Sequence, residues 1–201
     1  MNLGAPLLDV APAVRGALLQ TLARLEQPVT RRQLAAAAGV APGNASAVIE
    51  ELIQSGLVSE TVAGRSSMVV LNRQHLAAGP VLALASLRGE LIRRLRERLS
   101  GWPDLLGAWL FGSVGRGDAK GDSDIDLLVV ADDLESPGLH ARLTQLHTDV
   151  RSWTGNDLQV VEHSQISWRE LVRTKNPLVE QMRLDGIALT GDTASLLRRH
   201  R

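Results

Sequence analysis

The sequence predicts an α+β protein in which two modules are joined by a connecting helix. Residues 1–75 contain three amphipathic helical stretches followed by two short strands rich in β-branched residues. Residues 76–101 place leucines at helical spacing, which predicts the connecting helix. Residues 102–201 alternate short apolar strands with amphipathic helices, which predicts a small mixed β-sheet with flanking helices.

Three helices are predicted in the N-terminal module. The first spans residues 13–25, where apolar side chains recur at helical spacing. Thr30 is a good N-cap for a second, short helix over residues 31–38. A third helix opens within residues 42–44 and ends at Ser55, just before a glycine.

A β-hairpin is predicted next, with strands at residues 57–62 and 67–71 and a turn over residues 63–66. Three helices followed by a hairpin resemble the winged helix-turn-helix of small bacterial transcription regulators. The resemblance implies double-stranded DNA as a partner, with the third helix in the major groove and the hairpin on the backbone. The candidate DNA-contacting residues are Arg31, Arg32, Asn44, Ser46 and Arg65.

The composition of the third helix leaves a second use of this module open. Its exposed face offers Asn44, Ser46, Glu50 and Glu51 but no Lys or Arg. This is weak for a base-reading helix, because Arg to guanine is the commonest specific contact. Dimerisation, or the holding of a partner protein, is therefore the alternative.

The connecting helix carries a stripe of leucines, with five arginines mostly off that stripe. We expect a connector whose apolar edge packs on a domain or on a second copy of the chain in a homodimer, with the arginines solvated. An arginine ridge that faces nucleic acid is the alternative. The sequence Gly101-Trp102-Pro103 marks the boundary with the C-terminal module. The leucines of the stripe are Leu84, Leu87, Leu91, Leu95 and Leu99.

The most informative stretch for function is residues 111–130. A turn at Gly112-Ser113 is followed by Asp124 and Asp126, which lead into a run of four apolar residues typical of a buried strand. Because side chains alternate across a strand, the two aspartates point to the same face. Neighbouring carboxylates repel, and Mg²⁺ prefers such oxygen ligands. Since a glycine-rich turn presents N–H groups to phosphate, the pattern predicts a metal–nucleotide site. The alternative is an acidic loop whose carboxylates are only solvated.

This spacing resembles the signature of the DNA polymerase β-type nucleotidyltransferase superfamily. The likeness is strongest to kanamycin nucleotidyltransferase-like proteins and to the minimal nucleotidyltransferases of toxin–antitoxin pairs. Arg116-Gly117 and Ser123 also fit the form of the small members, Gly-Ser-x-x-Arg-Gly followed by Ser-Asp-x-Asp. The resemblance covers residues 102–201.

The resemblance implies Mg²⁺-dependent transfer of a nucleotide from a nucleoside triphosphate, ATP in the first instance, to a hydroxyl of an acceptor. The acceptor is a protein such as a partner toxin, a tRNA or a small molecule. Asp124 and Asp126 are implied to hold one or two Mg²⁺ ions. For Arg116, a surface ion pair with Asp118 or Asp122 is the alternative to phosphate binding. The implied phosphate-contacting residues are Gly112, Ser113, Arg116 and Ser123.

Members of the superfamily usually carry a third carboxylate on a neighbouring strand, where it orients or deprotonates the attacking hydroxyl. Asp157, which opens the strand predicted over residues 157–161, is the candidate. In the alternative register Gln159 takes that position, and the site holds a metal without a base. That register would favour a rival function, a DNA-binding regulator whose C-terminal module senses nucleotide or docks a partner without turnover.

Composition predicts a cytoplasmic protein with no membrane segment. The chain has 22 basic and 22 acidic residues, no cysteine, and no apolar stretch of the length that spans a bilayer. Residues 1–100 carry 11 Arg and 7 acidic residues, a net charge of +4, which leaves a net charge of −4 in residues 101–201. This asymmetry favours a polyanion-facing N-terminal half and a metal-binding C-terminal half.

Overall fold

The computed structural model describes residues 1–64 and 66–198. The chain forms two compact units, with the division between Leu87 and Arg88, except that Met1 and Leu3 group with the C-terminal unit. In the described ranges, no helix combines the length and the apolar character needed to span a bilayer. Each unit has its own sheet and its own buried core.

The N-terminal unit has winged-helix architecture, as predicted. Its sheet has three antiparallel strands, with β3 (Ser66–Leu71) between β1 (Val29–Thr30) and β2 (Val58–Ala63). A 3₁₀ turn precedes the first helix. The elements are Pro6–Asp9 (3₁₀), α1 (Ala13–Arg24), β1 (Val29–Thr30), α2 (Arg31–Ala37), α3 (Pro42–Gln54), β2 (Val58–Ala63), β3 (Ser66–Leu71) and α4 (Ala78–Ala85).

Local sequence explains the start of α2. The hydroxyl of Thr30 accepts from the backbone N–H of Gln33 at 3.2 Å, and the side chain of Gln33 accepts from the N–H of Thr30 at 2.9 Å. This reciprocal capping box fixes the entry to the helix. Thr30 also belongs to β1, a two-residue strand that the sequence did not predict and that pairs with Val69 and Met68 of β3.

The region expected to connect the modules contains two helices. The first, α4, buries Ala78 and Val81 in the core of the N-terminal unit. The second, α5 (Leu87–Leu99), buries Leu91 and Leu95 in the core of the C-terminal unit. The leucine stripe therefore packs in the cores of the two units. The helix predicted to be continuous is interrupted at Ser86, the C-cap of α4.

The C-terminal unit is built on a four-stranded mixed sheet. Its strands lie in the order β6 (Leu158–Ser164), β5 (Ile125–Ala131), β4 (Leu105–Phe111) and β7 (Ile187–Gly191). Strand β4 is antiparallel to both of its neighbours, and β5 and β6 are parallel. The elements after α5 are β4 (Leu105–Phe111), α6 (Gly112–Arg116), β5 (Ile125–Ala131), α7 (Pro137–Thr154), β6 (Leu158–Ser164), α8 (Gln165–Thr174), α9 (Pro177–Leu184), β7 (Ile187–Gly191) and α10 (Thr193–Leu196).

The two faces of this sheet pack in different clusters of buried side chains. One cluster joins Leu127 of β5 to Leu95 of α5 and to residues of α7. The other joins Leu128 of β5 to Trp168 of α8 and to residues of α9. Because side chains alternate along a strand, Asp126 shares the face of Leu128. The acidic residue is thus placed on the α8–α9 side of the sheet, near the start of β5.

Candidate functional site

The glycine-serine turn and the paired acids meet at one end of the sheet. Strand β4 ends at Phe111, which pairs with Asp126 of β5. The chain then turns at Gly112, whose φ of +65° favours glycine, and enters the short helix α6. A Cβ at Gly112 would collide with Oδ2 of Asp126. The carboxylate therefore lies directly against the backbone of the turn, and no larger residue fits at position 112.

The two carboxylates influence each other electrostatically. Asp126 is half-buried and Asp124 is exposed. Burial, and secondly the negative charge of Asp124, raises the pKa of Asp126 above its ordinary value, while the nearby Arg116 acts in the opposite direction. The pair therefore carries repulsion that a bound cation would relieve, which is the property expected of a metal site.

Arg116 and Ser123 lie beside these acids and already have partners. The guanidinium of Arg116 pairs with Asp118 at 3.3 Å, one of the two surface pairings considered from the sequence. Both side chains are largely exposed, so this pair contributes little stability and can exchange. The hydroxyl of Ser123 accepts from the N–H of Lys120 at 2.8 Å, which shapes the loop before Asp124.

Asn156 anchors that loop from the other side, and sequence reasoning missed it. Its side chain is 6% exposed and donates to the carbonyl oxygen of Ser123 at 2.8 Å and to that of Gly121 at 3.3 Å. An Asn that follows a glycine reads as an ordinary turn residue. Because its partners are more than 30 positions away, no local pattern indicates the role.

Arg88 was also missed, although its contacts are close to the turn. Its Nε donates to the carbonyl oxygen of Val114 at 2.6 Å, and its Nη2 donates to that of Gly115 at 2.5 Å. These are carbonyls of α6, so the guanidinium places positive charge at the end of the helix where the dipole favours it. From the sequence, Arg88 is expected to be one of the solvated arginines of the connecting helix, and this expectation is wrong. The structure shows that it holds the segment after Gly112-Ser113.

The neighbouring strand presents both candidates for the third position. In the parallel pairing of β5 and β6, Asp126 lies opposite Gln159. Asp157 lies just before β6, and its backbone carbonyl accepts from the N–H of Ile125 at 2.9 Å. The carboxylate of Asp157 forms an ion pair with Arg151 of α7. In residues 1–64 and 66–198, no three His, Asp or Glu side chains are grouped so that they could hold a metal ion.

In the N-terminal unit, the residues predicted to contact DNA have different surroundings. Arg31 pairs with Glu60 at 2.7 Å and with Glu50 at 3.0 Å, and its side chain is 32% exposed. Arg32, Asn44 and Ser46 are exposed. Arg31, Arg32 and Ser46 border one shallow groove of about 440 Å³ between α2 and α3. Arg65 lies outside the described residues.

Comparison with known proteins assigns the C-terminal unit. The family model described as "Nucleotidyltransferase domain" matches residues 90–185, a range that includes the turn at Gly112, the pair Asp124 and Asp126, and Asp157. The matched region is therefore similar to this family and is called the nucleotidyltransferase domain below. The match begins within α5, ahead of the boundary at Gly101-Trp102-Pro103 that the sequence suggested.

Solved structures similar to the chain fall into two kinds. A toxin–antitoxin structure with AMP-PNP is 23% identical with a TM-score of 0.34, over 54% of this chain and 77% of that one. The adhesin competence repressor AdcR from Streptococcus pyogenes is 17% identical with a TM-score of 0.33, over 44% of this chain and 64% of that one. The Staphylococcus aureus regulator MepR is 19% identical with a TM-score of 0.34, over 47% and 69%. No curated protein matches the chain by sequence.

Proposed function

We propose that the nucleotidyltransferase domain transfers a nucleoside monophosphate from a nucleoside triphosphate to a hydroxyl of an acceptor, in a Mg²⁺-dependent reaction. The observation that carries this proposal is the packing of the Asp126 carboxylate against Gly112. It brings oxygen ligands for a cation and a turn suited to phosphate into one place.

The acid pair fits Mg²⁺ on chemical grounds. Proteins usually bind this ion through one or two carboxylates together with substrate phosphates, and Asp124 and Asp126 supply that number. The raised pKa of Asp126 indicates a carboxylate whose charge lacks full compensation. When bound, one or two Mg²⁺ ions would supply charge neutralisation at the phosphates that are transferred and released.

The residues of the turn would bind and orient the triphosphate. Gly112 allows close backbone approach, and Ser113 offers a hydroxyl and an N–H group beside it. Arg116 would exchange its exposed partner Asp118 for phosphate oxygens, which match the planar fork of a guanidinium. Ser123 would orient the loop that presents Asp124 and, through its O–H, contact the same phosphates.

Asp157 is proposed as the group that orients or deprotonates the attacking hydroxyl. This role requires its carboxylate to release Arg151 and accept the acceptor hydroxyl instead. The acceptor is a protein, a tRNA or a small molecule.

The test is label transfer from α-labelled nucleotides. Purified protein is incubated with Mg²⁺, cell lysate and labelled ATP, CTP, GTP or UTP in turn. We expect label on an acceptor with the wild type and none with Asp124→Asn or Asp126→Asn, while Asp122→Asn, an exposed acid of the same loop, retains activity. Absence of label with all four nucleotides would contradict the proposal.

A second candidate function is favoured by the register of β6. Gln159, not an acid, lies opposite Asp126, so the domain would bind nucleotide as a sensor without transferring it. The winged helix would then contact DNA or hold a partner such as a toxin. Mg²⁺-dependent nucleotide binding without label transfer, together with retention on a promoter fragment at about 150 mM salt, supports this candidate.

A further inference from the structure

The nucleotidyltransferase domain contains a second concave site, between α8 and α10. It is a pocket of about 300 Å³ that lies against Gln165, Arg169 and Arg173 on one side and Ser195 and Arg198 on the other. The three residues of α8 are spaced four apart, so they project from one face of the helix. Val172 and Leu196 add apolar surface to the same pocket.

Both walls of this pocket are held in place by buried or specific contacts. Trp168 of α8 is fully buried, and its indole N–H donates to the carbonyl oxygen of Leu196 at 2.9 Å. The Asp192 side chain accepts from the N–H of Ser195 at 3.0 Å and caps α10. Arg183 donates to the carbonyl oxygen of Leu197 at 2.6 Å. The pocket is therefore a preformed feature of the domain.

Positive charge converges on the pocket. Arg173 pairs with Glu170 at 2.6 Å, whereas Arg169 and Arg198 form no ion pair with any other residue that the structure describes. Like charges four residues apart on a helix repel, so Arg169 and Arg173 destabilise the empty helix face slightly. A concave surface of one charge sign attracts the opposite ion.

We propose that the α8–α10 pocket binds a small phosphomonoester of mononucleotide size or less. The guanidinium groups match phosphate oxygens in a two-pronged geometry, and Gln165 and Ser195 can hydrogen-bond the remaining oxygens. The volume is at the lower end of the range for small-molecule sites, which suits one phosphate on a compact body. Val172 and Leu196 would cover the apolar part of that body.

This pocket is distinct from the metal–nucleotide site. Asp126 lies at the beginning of β5, whereas Gln165 directly follows the end of β6, which runs parallel to β5. At about 3.3 Å per residue, seven-residue strands separate the two places by on the order of 20 Å. The ligand is therefore a second molecule and not the triphosphate, and the inference stands independently of the proposed transfer reaction.

The test is calorimetric titration of the full chain with AMP in EDTA, which removes the contribution of Mg²⁺-dependent binding. We expect AMP and inorganic phosphate to bind, and adenosine, which lacks the phosphate, not to bind. Arg169→Gln should weaken AMP by about tenfold, because it removes a charged phosphate contact. Arg173→Gln should weaken it less, because Arg173 is already paired with Glu170. The matched control Arg94→Gln, an exposed arginine of α5, should leave the affinity unchanged.

Three results would overturn the inference. The first is that AMP does not bind at about 10 mM, a concentration well above the dissociation constant expected for a specific site. The second is equal affinity in Arg169→Gln and Arg94→Gln. The third is loss of AMP binding in Arg116→Gln with retention in Arg169→Gln, which would place the phosphate at the turn after β4. Circular dichroism of each variant checks that it is folded.

Discussion

The candidate sites of the two units differ in whether their charged side chains are paired with opposite charges. In the winged helix, Arg31 is already neutralised by Glu50 and Glu60, and its guanidinium holds the pKa of Glu60 below its usual range. In the nucleotidyltransferase domain, Asp124 and Asp126 lie together, and burial with mutual repulsion raises the pKa of Asp126. One charge is compensated within the unit, while the other is left for a ligand.

The two arrangements differ in what a ligand must overcome in order to bind. A paired arginine must break its ion pairs before it can bind DNA phosphate, which reduces the gain. A carboxylate pair that repels gains from binding a cation without breaking a favourable contact. We therefore expect large effects from substitutions at Asp124 and Asp126 and small effects from substitution of Arg31.

The largest expected effect is on catalysis. Asp124→Asn or Asp126→Asn should reduce nucleotide transfer by about a thousandfold or more, because each removes one of the two carboxylates that we propose bind Mg²⁺. The measurement is the rate of label transfer at saturating Mg²⁺ and ATP. A variant that retains a tenth of wild-type activity would contradict the proposed role of that aspartate in metal binding.

Gly112→Ala should come next, with loss of both activity and stability. The added Cβ collides with the carboxylate of Asp126, and the alanine must adopt the left-handed backbone conformation of Gly112. We therefore expect the free energy of unfolding to fall by about 1–3 kcal/mol. Denaturant unfolding measures it. Gly121→Ala is the control, since a Cβ there meets no neighbour and φ is not positive. Equal stability of the two variants would contradict the close packing at Gly112.

Arg88→Gln should raise KM for the nucleotide by about tenfold with a smaller change in kcat, because the residue positions the turn without touching the phosphates. Arg96→Gln is a matched control, since Arg96 lies on the same helix and donates to the carbonyl of Ala188. If both variants give the same KM, Arg88 has only a structural role.

DNA binding by the winged helix provides the converse test. Arg32→Ala should weaken binding to a promoter fragment several-fold, by about 1 kcal/mol, because Arg32 is exposed beside the groove. Arg31→Ala should change affinity less, since its charge is already paired. Filter retention at about 150 mM salt measures both. A larger effect at Arg31 would show that its ion pairs open on binding.

The smallest effect is a gain in stability. A carboxyl with a raised pKa favours folding while protonated, and this contribution is lost as the pH rises through its folded-state pKa. Asp126→Asn should therefore slightly raise the Tm of the metal-free protein at pH 7, because the amide carries no charge to be buried beside Asp124. Thermal unfolding in EDTA tests the sign. A lower Tm for the variant would show that the carboxylate is well compensated.

Features set by neighbours in sequence were predictable, and those set by distant partners were not. The cap at Thr30, the turn at Gly112 and the acid pair depend on spacings of a few residues or on a known motif. Arg88 and Asn156 act on carbonyl oxygens more than 25 positions away. No period or spacing indicates such contacts. The two-residue β1 was missed because only its pairing with β3 defines it.

The choice between Asp157 and Gln159 shows a related limit. Both lie in the same short segment two residues apart, and a strand pattern alone does not fix which one lies opposite Asp126. The structure places Gln159 opposite Asp126, and the carboxylate of Asp157 pairs with Arg151. Whether Asp157 acts on the acceptor remains a prediction that Asp157→Asn, with Arg151→Gln beside it, will resolve.

The most direct measurement is the affinity of a non-hydrolysable ATP analogue for the wild type and for Asp126→Asn, each titrated with and without Mg²⁺. We expect binding by the wild type that depends on Mg²⁺ and is lost in the variant. Binding that is indifferent to Mg²⁺, or equal in the two proteins, would contradict the assignment of Asp124, Asp126 and Gly112 to one metal–nucleotide site.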